Sequence, residues 1–178
     1  MRSTLTLLAA AGIALLAFAG SISASSGATR SPSAAPAKHL TITALGQLSG
    51  LGGPASGKFE LLGSSAADSD AGKLVFTVPT DPLPRKTAEG LSFRPLQLTE
   101  TLKGRHGTLV IRSVVRLFDV VKQDDSIATG TWSVVRGTGS YAGLKGGGAL
   151  VGITQPAAAA GSISDYDFSY RYEGRVTR

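Results

Sequence analysis

The chain reads as an all-β protein whose body is an eight-stranded antiparallel up-and-down barrel. Three observations predict this. Short alternating apolar and polar runs recur from His39 to Val176, with no stretch of helical period. Gly, Pro and Asp punctuate those runs at turn spacing. The last run, Ser162–Val176, puts Tyr166, Phe168, Tyr170 and Tyr172 on one face and Asp165, Asp167, Arg171 and Glu173 on the other. Side chains in a strand alternate with period two, so one face is an aromatic wall and the other is charged. An open sheet edge invites aggregation, and closure removes it.

Eight strands are expected in order. His39–Leu48 alternates Leu40 and Ile42 with Thr41 and Thr43. Gly57–Gly63 sets Phe59 and Leu61 against Lys58 and Glu60, and a Ser/Ala/Asp loop follows. Gly72–Val78 ends at Pro79. Pro79, Pro82 and Pro84 then predict an irregular connection to Gly90, either lid-like or simply mobile, because proline cannot donate to a ladder. Ser92–Lys103 begins at an edge or bulge near Pro95 and turns at Gly104–Gly107. Thr108–Phe118 places Leu109, Ile111, Val115 and Leu117 on one face, opposite Arg112 and Arg116. Ile127–Gly137 carries Trp132 and Val134 together. Gly147–Thr154 and Ser162–Val176 complete the set. A connection through Pro156 and an alanine run joins them, with one helical turn as an option.

Residues 1–24 read as a signal peptide: Arg2, the apolar run Leu5–Ala19, then small residues permitting cleavage after Ala19 or Ala24. That run is shorter than the roughly 20 apolar residues of a membrane span. No span is expected after leader removal, and the protein is expected to be secreted or associated with the cell envelope. Residues 25–38 are rich in Ser, Ala and Pro and read as a linker. Residues 39–178 form the barrel domain, long enough to bury a core without staples. The chain has no cysteine, so disulfides, thiolate metal sites and thiol catalysis are excluded.

The formal net charge is +6, with Lys and Arg spread along the chain. It serves solubility or attracts an acidic envelope polymer. No basic run interleaves with aromatics, which argues against nucleic acid. His39 and His106 lie far apart, and each reads as solvated, so no metal or other cofactor is expected. The Gly-rich segment Gly130–Gly148 lacks the spacing and following helix of a phosphate-binding loop: Lys145 precedes Gly146 rather than Ser or Thr. It reads as a tight connection in which Tyr141 and Leu144 plug a barrel end.

The stretch WSVVRGTGSYAGLKGGG within that segment resembles the allene oxide cyclase-like and dirigent-like barrels. It is most similar to small exported bacterial members without assigned activity. The resemblance implies an eight-stranded barrel around an apolar cavity. Plant members use that cavity for fatty-acid epoxide cyclisation or phenoxy-radical coupling. The cyclases rely on a carboxylate, a cysteine and water. The cysteine has no counterpart here, and no family catalytic residue is carried over.

Glu100 is the one candidate for acid-base chemistry. It shares a face with Leu96, Leu98 and Leu102. Facing inward, it would be a carboxyl in an apolar wall with a raised pKa. Near a strand end or past a bulge at Pro95, it would instead reach water or an arginine. The candidate ligand-binding set is Glu100, Trp132, Tyr166, Phe168, Tyr170 and Tyr172. The aromatic wall is either core or pocket lining, and its tyrosine hydroxyls need partners in each other, in Glu100 or in water. Three functions stay open: a carrier of a small apolar or amphipathic molecule, a filled barrel acting through its surface, or a cyclase- or isomerase-type enzyme. The sequence does not set the oligomeric state.

Overall fold

The computed structural model describes residues 36–50, 52–63, 68–79, 82–120, 125–157 and 165–178. The expected leader, most of the linker and most of the alanine run lie outside them. Among the described residues nine strands form: β1 (Lys38–Ser49), β2 (Pro54–Leu62), β3 (Asp70–Thr77), β4 (Arg85–Lys86), β5 (Ser92–Gly104), β6 (Thr108–Asp119), β7 (Ser126–Gly137), β8 (Lys145–Pro156) and β9 (Asp165–Thr177). All but β4 match the eight expected runs to within a few residues.

Every pairing is antiparallel, and the strands run β3-β2-β1-β9-β8-β7-β6-β5-β4, with β3 also paired to β5. That last ladder closes eight strands into an up-and-down barrel. An eight-stranded barrel is just wide enough for side chains to fill. The period-two pattern sends Leu40, Ile42, Phe59, Leu61, Leu74, Leu98, Leu109, Ile111 and Leu150 inward, and all are buried. Lys58, Lys73, Arg112, Arg116 and Arg171 face out. Gly46 pairs with both Gly57 and Phe168. A Cβ there would lie 2.9 Å from the Phe168 Cζ and 2.2 Å from the Ser56 carbonyl. The glycine therefore makes room for an aromatic ring inside the wall.

Pro79 and residues 82–84 form no strand, as expected of the proline-rich stretch, but a short pairing follows before Gly90. Arg85 and Lys86 pair with Phe93 and Ser92, and Gly90 N–H donates to the Thr87 carbonyl. The two-residue β4 thus stands beside the start of β5. Two residues carry too little alternation to register as a strand in sequence.

The closing seam is the weakest part of the wall. β3 and β5 pair over only Gly72–Val75 against Thr101–Gly104. Between that ladder and β4, residues 94–100 of β5 have no ladder partner on this side among the described residues. Pro95, which has no N–H to offer, sits in this unpaired stretch. One barrel end is capped. A single 3-10 turn, Gly139–Tyr141, folds over it with Gly139 at φ +57 and Tyr141 buried. Leu144 packs against the same core. The plug expected from the Gly-rich segment is in place.

Candidate functional site

Glu100 faces inward and is 0% exposed. No bulge intervenes, because Pro95 pairs in register with Arg116 and Glu100 with Ile111. The Ser113 hydroxyl, one strand over on β6, donates to Oε1 at 2.6 Å. The Tyr172 hydroxyl donates to Oε2 at 2.5 Å. β9, which carries Tyr172, lies four strands from β5 in either direction round the ring. The Tyr172 side chain therefore crosses the barrel to reach Glu100.

No cation lies within ion-pair distance of Glu100 among the described residues. Burial pushes its carboxyl above the ordinary glutamate value, and the Ser113 and Tyr172 hydroxyls oppose that shift without cancelling it. Burial likewise drives the Tyr172 hydroxyl well up, with the Glu100 charge adding to it. The cluster can thus hold a proton inside the barrel. It can also offer a carboxyl to the hydroxyl of a bound molecule.

The other expected site residues fall around this bond. Trp132 is buried, its ring edge-on to Tyr172 at 6.4 Å, and its Nε1 donates to the Glu173 carbonyl at 3.3 Å. The hydroxyls of Tyr170 and Thr154 bond each other at 3.2 Å. Burial raises the Tyr170 hydroxyl; the Thr154 bond opposes that and Glu100 reinforces it. Phe168 stacks near Tyr170 at 5.0 Å and meets Phe76 edge-on at 5.4 Å. Tyr166, nearest the strand start, is partly buried. The six residues share one interior, but only Tyr172 touches Glu100. Ser113 and Thr154 went unread in the sequence. Both fall at inward positions of their strands, which was the available signal.

A second buried carboxylate was missed altogether. Asp70, assigned to the Ser/Ala/Asp loop, opens β3 and is 4% exposed. Its Oδ1 accepts from the Ala71 and Arg105 N–H groups at 2.8 and 3.0 Å. Its Oδ2 accepts from the His106 N–H at 3.1 Å and the Tyr141 hydroxyl at 2.7 Å. Burial pulls this carboxyl upward, but the four donors outweigh burial and hold it below the ordinary aspartate value. It clasps β3, the β5–β6 turn and the capping turn at the plugged end. Its donors lie up to 71 residues away in sequence, so no local pattern announced it.

The clefts formed by the described residues include two of note. One, of about 290 Å³, lies at the plugged end against His39, His106, Tyr141, Leu144 and Val176. Both histidines are exposed, as expected. The other, of about 500 Å³, lies on the outer wall over Leu45, Gly46, Gly57, Ile153 and Ser169. Neither is lined by Glu100, Trp132, Tyr170 or Tyr172. Among the described residues no group of three or more His, Asp or Glu side chains is placed to hold a metal. No described helix is long and apolar enough to cross a membrane. No protein-family model, curated protein or solved structure matches the chain, so the barrel stands on its own geometry.

Proposed function

We propose that the protein is an exported barrel that binds a small apolar or amphipathic molecule in its interior, with the Glu100 carboxyl as the polar anchor. The observation that carries this is Glu100 itself. A fully buried carboxyl without a cation is costly to the fold, and its two hydroxyl partners only limit that cost. Ligand sites combine an apolar lining with a few convergent polar groups, and barrel mouths are a common place for them.

Further support comes from the asymmetry of the two ends. Tyr141 plugs one end. At the other, the described residues form no such capping turn. The unpaired stretch of β5 from 94 to 100 leads directly to Glu100. A molecule held above the Glu100–Tyr172 bond would rest against Phe168, Tyr170 and Phe76. The resemblance to allene oxide cyclase-like barrels belongs to this proposal.

The test is native mass spectrometry of protein purified from its source, paired with fluorescence of Trp132, the only tryptophan. A co-purifying small molecule is expected, together with a shift of Trp132 emission when an environment-sensitive apolar probe such as anilinonaphthalene sulfonate is added. Glu100→Gln is expected to change affinity while leaving the fold intact. A clean apo mass with an unresponsive Trp132 would overturn the proposal. It would favour a filled barrel acting through its surface, a reading supported by Tyr172 spanning the interior.

A further inference from the structure

Strand register places three lysines in one line on the outer wall. Lys58 on β2 lies directly opposite Lys73 on β3, and Lys73 lies directly opposite Lys103 on β5. All three are exposed. None forms an ion pair among the described residues, whose four ion pairs use Lys38, Arg94, Arg105 and Arg171. Glu60, two residues from Lys58 on β2, lies opposite Ala71 rather than a lysine. The row is bounded by neutral residues, Leu45 beyond Lys58 and Thr108 beyond Lys103.

Like charges directly opposed on neighbouring strands destabilise a sheet. Here they straddle the shortest ladder in the barrel, the β3–β5 seam. Nothing in the fold gains from that placement. An anionic partner would gain from it, because neighbouring strands lie about 4.8 Å apart and three ammonium groups then present a track about 10 Å long.

We propose that the Lys58–Lys73–Lys103 row is a binding site for a linear polyanion, a polymer carrying closely spaced oxyanions, which lies across the strands rather than along them. Each lysine meets successive negative groups, and the polymer bridges β2, β3 and β5 across the weak seam. Binding therefore stabilises the barrel. The site is separate from Glu100, so the interior and the row can be tested independently.

The experiment measures affinity of the full chain for long-chain inorganic polyphosphate and for polygalacturonate, which separates phosphate from carboxylate chemistry. Anionic phospholipid vesicles form a third arm. The expected result is tight binding of at least one free polymer, with log affinity falling against log salt at a slope of about −2, as three contacts to a single-stranded polyanion require. The polymer should raise the thermal midpoint. Lys58→Gln/Lys73→Gln/Lys103→Gln should weaken binding tenfold or more, yet melt no lower than the parent without polymer. Lys73→Gln alone, at the centre, should give the largest single loss. A charge-matched control, Arg85→Gln/Lys86→Gln/Lys145→Gln, should retain affinity. Equal losses in the two triple variants would overturn the proposal in favour of net charge alone. Binding confined to vesicles, or none to any arm, would overturn it as well.

Discussion

Two carboxylates are buried in this barrel among the described residues, and they have opposite electrostatic characters. Asp70 at the plugged end collects four hydrogen bonds, three of them from backbone N–H groups, and is held ionised. Glu100 in the interior has two hydroxyl donors and no cation, and burial favours its neutral form. The number of donors, rather than depth alone, decides the sign. Fixed backbone dipoles replace water around Asp70, so its charge becomes part of the fold. A charge on Glu100 would be under-solvated, which is why burial favours its neutral form.

The largest expected effect tests the Asp70 side. Asp70→Asn keeps one acceptor oxygen and turns an NH₂ toward two donors, so a loss of about 3 kcal/mol is expected, read by urea unfolding. A loss below about 1 kcal/mol would remove Asp70 from its role as clasp.

Next comes Tyr172→Phe, which strips one of the two donors from Glu100. About 2 kcal/mol should be lost at neutral pH, and most of it should return when the same change is made in Glu100→Gln. Additive losses in that double-mutant cycle would mean that the two groups are not coupled.

The pH dependence then separates the two carboxylates. The Asp70 value is depressed below its ordinary 3.8, so its stabilisation is complete above that value and disappears as pH falls through the folded value. The Glu100 value is raised above its ordinary 4.5. The folded state then holds that proton more tightly than the unfolded chain, and stability drops as pH climbs from 4.5 through the folded value. Asp70→Asn should flatten the acid limb of the stability profile, and Glu100→Gln the limb above 4.5. Identical profiles for parent and variants would break the comparison.

Smaller still is Glu100→Gln at neutral pH, expected within about 1 kcal/mol of the parent because a neutral amide escapes the desolvation cost. The smallest is Arg171→Gln. It breaks the Arg171–Glu173 pair, whose side chains are 60% and 48% exposed, and should change stability by less than about 0.5 kcal/mol.

Much of this was legible in the chain. Alternation put Leu109, Ile111, Val115 and Leu117 on one face and Arg112 and Arg116 on the other with Val110, Val114 and Phe118, and closure buried the first face. The leucine neighbours of Glu100 allowed an inward carboxyl, but a strand end or a bulge at Pro95 stayed open until the β5–β6 register excluded it. The choice by Glu100 of Tyr172 over Tyr166 or Tyr170 could not be read, since that depends on which strands face each other across the ring. Asp70 was illegible for a related reason: its donors come from a turn and a capping loop that only closure brings to β3.

The amino-acid order by itself determined which side chains of each strand share a face, roughly where the main turns fall, and that no thiol chemistry exists. Only the closed ring decided which inward groups meet, and with them which carboxylate keeps its charge. Strand patterning is a local, steric property of the backbone. Solvation of a buried charge depends on donors delivered from distant segments, and these assemble only when β3 joins β5.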